Sequence, residues 1–300
     1  MLIGFPLVFL AAVIAGFLGA LMGIGGGVII VTALSLFFHL PIHLAIAASL
    51  VSVIATSIAG ALRYVKQEIA DVRLGMFLEV ATTIGALAGA FIGVLLSAYV
   101  LSLLFGTFLL YTAARSLLPR RRRTFDILPS AYDENGAGEQ GETSNKTGRL
   151  LRPGAYYDRA LDSNIRYLPV RPVLGGFVVS FAGLAAGLLG IGGGVINVAA
   201  MNSIMKVPVK VSIATSQFMI MVTAATGALV YFIAGGINVY VVAPAALGTM
   251  VGSTLGSLLM NRLPTEVIKT VFLLLLIYFG YQMVSRGLVM GFGIKMPWSF

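Results

Sequence analysis

The chain has no cysteine, two histidines, one tryptophan and only 11 acidic residues among 300. Without cysteine there can be no disulfide, thiolate chemistry or cysteine-ligated metal. His39 and His43 are too few for a multi-histidine centre, and no cofactor is implied. Charge is scarce as well. Charged residues make up 10% of the chain against 58% hydrophobic, and mean hydropathy is +0.98. That balance excludes an ordinary soluble domain and specifies an all-α polytopic membrane protein.

Roughly 20 apolar residues carry a helix across a bilayer. Runs of that order lie near residues 5–37, 43–62, 74–96, 99–118, 172–204, 211–234, 237–260 and 265–285. No basic region precedes the first run, so it is expected to be a membrane element rather than a cleaved signal.

A glycine-rich motif occurs twice. Gly23-Ile24-Gly25-Gly26-Gly27-Val28-Ile29 returns 167 residues later as Gly190-Ile191-Gly192-Gly193-Gly194-Val195-Ile196. Residues 16–64 align without gaps on 183–231, with 20 of 49 positions identical, among them Pro41/Pro208, Ser49/Ser216 and Thr56/Thr223. The chain therefore divides into a first transmembrane repeat (1–118), a linker (119–171), a second repeat (172–286) and a tail (287–300). A site shared between the repeats is expected.

The linker holds ten of the twenty Lys/Arg residues and seven of the eleven acids. Its composition cannot fold alone, so it is expected to be polar and partly disordered. Arg120–Arg123 follow a membrane segment directly, which marks a cytoplasmic anchor on anionic lipid rather than a nucleic-acid site. With the linker inside, Arg63, Lys66 and Arg73 also lie inside, while residues 39–43 and 97–101 lie outside. If the run 172–204 goes in and returns, Lys206, Lys210, Arg262 and Lys269 are inside too, and only Arg286 and Lys295 face out. Positive charge favours that path, and the two repeats would then be inverted relative to one another.

Consecutive glycines reach positive φ without strain and let a ligand approach the backbone. Gly25, Gly26 and Gly27, with Gly192, Gly193 and Gly194, are therefore expected to break membrane helices. The restarting helices would turn their positive ends inward to meet a small anion. By contrast, Gly85, Gly89, Gly93, Gly248, Gly252 and Gly256 have the spacing of a helix-packing device. A soluble dinucleotide-binding loop is excluded, because no strand–helix unit or downstream acid surrounds the motif. Polar residues near corresponding positions complete the candidate site: Ser49, Asn197, Thr215, Ser216 and Gln217. Glu79 is an intramembrane acid, a candidate for a coupling proton or for an ion pair with Arg63 or Arg73. Arg63 could instead draw anions to the cytoplasmic mouth. Pro41 and Pro208 are candidate pivots, as each interrupts helical bonding.

The paired glycine motif, the downstream Pro41 and Pro208, and the stretches Ala47-Ala48-Ser49 and Ala214-Thr215-Ser216 resemble the TauE/SafE (sulfite exporter, TSUP) family. The resemblance covers residues 5–118 and 172–286. It implies transport of sulfur-containing anions such as sulfite, thiosulfate or organosulfonates across a prokaryotic cytoplasmic (inner) membrane. Alternating access of a secondary transporter is the expected mechanism. A passive anion channel and a carrier of non-sulfur organic anions stay open, as do monomer and homodimer. An enzyme is not expected, since the core has neither a paired acid nor a histidine cluster.

Overall fold

The computed structural model describes residues 4–22, 25–66, 68–117, 154–158, 163–259 and 265–294. The first apolar run is interrupted into α1 (Gly4–Met22) and α2 (Gly27–Leu36), followed by α3 (Ile42–Lys66), α4 (Val72–Leu95) and α5 (Ala98–Leu117). The second half repeats the order. It has α6 (Pro172–Leu189), α7 (Gly194–Ala199) running on as a π-helical turn (Ala200–Ile204), α8 (Val209–Ile233), α9 (Val239–Leu259) and α10 (Thr265–Phe292). Among the described residues, seven helices are long and apolar enough to cross a membrane, while α1 and α2 contain shorter apolar stretches. Outward faces carry large apolar side chains, among them Val80, Ile84 and Phe91 on α4 and Phe177 and Phe181 on α6. Such surfaces suit lipid, not water.

Helices α3 and α8 pack together at the centre, and glycines decide which helices flank them. Helix α4 lies against α6, where a Cβ on Gly85 or Gly89 would strike the backbone of Ser180 or Leu184. Helix α9 lies against α1 in the same way, with Gly252 against Val13 and Gly256 against Phe17. On the opposing helices, Gly183 approaches Thr82 and Gly16 approaches Thr249. Each of these positions has its counterpart 167 residues away. Small residues at these crossings bring the backbones close enough for dispersion and weak C–H···O contacts to hold them.

The correspondence extends to the loops. His39 (φ 51) and Lys206 (φ 58) are both left-handed, although neither is glycine. Behind them, Leu40 N donates to Leu34 O at 3.2 Å and Val207 N to Met201 O at 3.0 Å. Yet these equivalent turns lie by opposite ends of α4. On the first, His43 Nε2 lies 3.0 Å from Leu96 O, the α4 C-cap carbonyl. Beyond the second, Thr215 Oγ1 accepts at 2.9 Å from the backbone N–H of Asp71, the α4 N-cap.

A hairpin stands inside the linker, where no element was expected: β1 (Gly154–Asp158) pairs antiparallel with β2 (Ser163–Tyr167). It packs on the bundle, which explains how so short a hairpin is held. Tyr156 is buried in a cluster with Leu74, Leu78, Met201 and Met205, and Ile165 and Tyr167 pack around it. Tyr167 Oη donates to Asp71 Oδ2 at 2.8 Å, while Asp71 Oδ1 caps α4 by accepting from Leu74 N at 2.9 Å. Burial, then the charge of Asp71, push the Tyr167 phenol up, which keeps it a donor. Arg120–Arg123 lie outside the described residues.

Candidate functional site

Each glycine motif stops one helix and starts another. Helix α6 ends at Gly190 (φ 71), and Gly192 (φ 73) and Gly193 (φ 70) turn the chain into α7. In the first copy Gly25 (φ 80) and Gly26 (φ 73) turn the chain into α2. A left-handed conformation costs an ordinary L-residue about 1–2 kcal/mol, so two in succession account for the glycines. Gly23 and Ile24 lie outside the described residues.

The two breaks meet. Val53 of α3 lies beside both: its Cγ1 would be 3.6 Å from a Cβ on Gly25 and 3.0 Å from one on Gly192. Ile220, the counterpart of Val53 in α8, faces Gly192 and Gly194. Gly27 closes the junction, since a Cβ there would come within 2.8 Å of Gly190 O. Four of the expected residues (Gly25, Gly27, Gly192 and Gly194) thus face Val53 or Ile220 on the α3–α8 axis, while Gly26 and Gly193 face Ala15 of α1 and Ala182 of α6.

The serines act on the breaks' carbonyls. Ser49 Oγ lies 3.0 Å from Gly27 O and 2.8 Å from Gly190 O, sharing its hydrogen between the copies. Ser216 Oγ donates to Gly194 O at 3.3 Å, which is the Ser49–Gly27 bond displaced by 167 residues. Thr56 Oγ1 serves Gly25 O at 3.1 Å. These hydroxyls engage carbonyls at and beside the breaks, among them that of Gly190, the C-cap of α6. Ahead of the first bonds of the restarting helices, Ile29 N to Gly26 O and Asn197 N to Gly193 O, both at 3.1 Å, the opening N–H groups have no intrahelical acceptor.

Asn197 lies in the first turn of α7 and is fully buried, and neither its Oδ1 nor its Nδ2 has a hydrogen-bond partner. A buried amide with no partner is costly, by about 1–3 kcal/mol per group. Gln217 packs against Gly60 of α3, with its Oε1 3.2 Å from where a Cβ would stand. Thr215 faces away from the breaks, toward the α4 N-cap. Pro41 and Pro208 precede α3 and α8, so they open long helices rather than interrupt them. The side chain of Arg63 lies outside the described residues.

Glu79 is buried on α4. Its Oε1 accepts from Thr223 at 2.9 Å and from Thr83 at 3.2 Å, and its Oε2 has no partner. Arg73 is exposed and makes no bond to it. Thr223 is the counterpart of Thr56, so Glu79 has drawn one hydroxyl of an otherwise repeated pair away from the glycine carbonyls. From sequence Arg286 entered only as an outward-facing charge and not as a site residue; it reaches back from α10 to the end of α2. The available signal was a lone basic residue in the last apolar run.

Comparison with known proteins agrees with this architecture. Residues 8–283 match the family described as "Sulfite exporter TauE/SafE". The chain is 28% identical over 292 residues to "Probable membrane transporter protein YunE" of Bacillus subtilis, covering 95% of this chain and 98% of that one. It is 24% identical over 262 residues to "Probable membrane transporter protein YdhB" of the same organism, covering 87% and 91%. A third relative, "Probable membrane transporter protein MamO" of Magnetospirillum gryphiswaldense, is 29% identical over 271 residues, 87% of this chain but 42% of its own length. No solved structure matches the chain.

Proposed function

The chain belongs to the TauE/SafE family of sulfite exporters, and from that premise we propose that it is a secondary transporter moving a small sulfur-containing anion by alternating access. Sulfite, thiosulfate and organosulfonates such as sulfoacetate are the substrate class. The observation that carries this reading is the meeting of Gly25–Gly27 and Gly192–Gly194 around Val53, with their carbonyls covered by Ser49, Ser216 and Thr56. A cavity opened between the breaks would present N–H groups and the positive ends of α2 and α7, a setting that stabilises a desolvated anion. Asn197 adds an amide whose Nδ2 is free to donate.

Two opposed repeats supply the motion. The equivalent turns at His39 and Lys206 lie by opposite ends of α4, which supports an inverted pair. Described parts of the segments assigned to the inside (around Asp71, the linker hairpin and 205–207) gather at one end, where Tyr167 meets Asp71 and Val170 N donates to Met205 O at 3.0 Å. That end would face the cytoplasm of a prokaryote, with the linker, and the other the outside. Pro41 and Pro208, where the broken helices join α3 and α8, are the joints about which the repeats would rock. Glu79, with one carboxylate oxygen unpartnered in the core, would carry the coupling proton.

Flux into proteoliposomes tests the reading. Sulfite, thiosulfate, sulfoacetate, taurine and acetate would be compared with and without a pH gradient. Saturable flux of a sulfur oxyanion is expected, abolished in the Gly26→Val/Gly193→Val variant. Flux that does not saturate and ignores the gradient would replace the carrier with a channel.

A further inference from the structure

At the end of the bundle opposite the hairpin, a cleft of about 240 Å³ opens between the end of α2, the start of α5 and the end of α10. His39, Pro41, Ala98, Ser102, Arg286 and Met290 line it. Two of its walls lie close together: Gly106 of α5 approaches Val284 of α10, and Gly291 of α10 approaches Tyr99 of α5. Arg286 is half-buried in it. Nη1 donates to Ser35 O and lies 2.8 Å from Ser35 Oγ, and Nη2 lies 3.4 Å from Leu40 O. Ser35 O belongs to the last turn of α2 and Leu40 O lies just beyond it, so the guanidinium acts as a C-terminal cap.

The second copy closes the same turn without charge. Asn202, the counterpart of Ser35, donates Nδ2 to Val207 O at 2.9 Å, and Val207 is the counterpart of Leu40. A neutral amide is therefore sufficient to cap this turn. The first copy instead holds a full positive charge half-buried at the end of the bundle, and among the described residues no carboxylate lines the cleft. An uncompensated charge in such a place is costly and calls for a counter-charge.

The capping bonds engage the Nη1/Nη2 end of the guanidinium. Of its five N–H donors, the Nε–H and the outer Nη2–H form a second, lateral fork. That fork fits two oxygens of one oxyanion. Ser102 does not compete for the role, since its hydroxyl donates to Ala98 O at 2.8 Å.

We propose that this cleft is a second anion site, in which Arg286 holds an oxyanionic group (sulfite, thiosulfate, sulfonate or phosphate) at the mouth opposite the linker hairpin. The ligand is either a dissolved anion on its way to or from the central breaks, or the phosphate of a lipid headgroup. The proposal rests on the transport reading only for its choice of soluble probe.

Arg286 itself is a poor target, because its removal uncaps α2. Met290 is better: it is exposed, and it lies one turn beyond Arg286 on α10, where an acid would pair with the guanidinium and fill the lateral fork. Purified protein in phosphatidylcholine discs would be titrated with thiosulfate by calorimetry, unsubstituted at 290 and as Met290→Glu and Met290→Gln, each in the wild-type and Gly26→Val/Gly193→Val backgrounds. Native mass spectrometry after reconstitution with phosphatidylglycerol would count retained anionic lipid. For a dissolved ligand, Met290→Glu weakens one thiosulfate site at least tenfold and Met290→Gln does not, in wild-type and double-glycine backgrounds alike. For a headgroup, Met290→Glu instead loses a bound phosphatidylglycerol that Met290→Gln retains. If Met290→Glu changes neither thiosulfate nor lipid binding, the site does not exist. If the double-glycine variant changes nothing while Met290→Glu still acts, the central site falls and this one stands.

Discussion

Ser49 joins the two copies through one hydroxyl, placed 3.0 Å from Gly27 O of the first and 2.8 Å from Gly190 O of the second. Ser216, its counterpart, serves Gly194 O alone and at 3.3 Å. Removing the Ser49 hydroxyl leaves two buried carbonyls short of a donor, at about 1–3 kcal/mol. Ser49→Ala is therefore expected to lower the thermal midpoint in detergent clearly more than Ser216→Ala. Equal shifts would mean that the bridge between the copies contributes nothing.

Three left-handed glycines separate strain from packing. Gly235 (φ 73) has nothing within 4 Å of where a methyl would stand, whereas at Gly26 and Gly193 that methyl would come within 3.0 Å of Ala15 O and 2.9 Å of Ala182 O. Gly235→Ala should cost only the backbone term of about 1–2 kcal/mol and leave flux intact. Gly26→Ala and Gly193→Ala should cost more and reduce flux several-fold. Unfolding midpoints and initial rates on the same preparations decide between the outcomes.

Glu79→Gln keeps an acceptor for the Thr223 hydroxyl while removing the titrating group. Folding should survive, with a midpoint within a few degrees of wild type, and the response of flux to an imposed pH gradient should vanish. Glu79→Leu abolishes the acceptor as well and is expected to be less stable than Gln by about 1–2 kcal/mol. A gradient response retained in Glu79→Gln would remove Glu79 from the coupling step.

Tyr167→Phe cuts the hairpin's bond to the α4 cap while leaving the ring in its apolar cluster. A partly buried bond to a carboxylate contributes on the order of 1 kcal/mol. Amide exchange across Gly154–Asp158 should accelerate by roughly the corresponding factor of five. Exchange in α10, on the far side of the bundle, should not change.

Much of this was legible beforehand, because a membrane helix announces itself by composition over its whole length. The run 43–62 became Ile42–Lys66 and 211–234 became Val209–Ile233, and both glycine breaks fell at the expected motifs. Asn197 also stood out, as an amide in apolar sequence, and it is buried without partners. Other features had no such signal. Gly85 advertises close packing but does not name Ser180 as its neighbour. Ser49 looked like an anion donor until its hydroxyl was found on two carbonyls. The hairpin rests on Tyr156, Ile165 and Tyr167, three residues in a polar stretch whose burial depends on surfaces distant in sequence on both sides, such as Leu74 and Met201.

The crossing of α1 with α9 and of α4 with α6 bears on how the chain is made. When the ribosome has delivered residues 1–118, α1 and α4 are both in place, and the helix each will bind does not yet exist. Gly85 and Gly89 then face lipid, and the groove they form waits for α6. Helix α1 waits longest, until the ninth helix enters the membrane. Halves cut in the linker should accordingly recover activity when co-expressed, and neither should assemble when made alone.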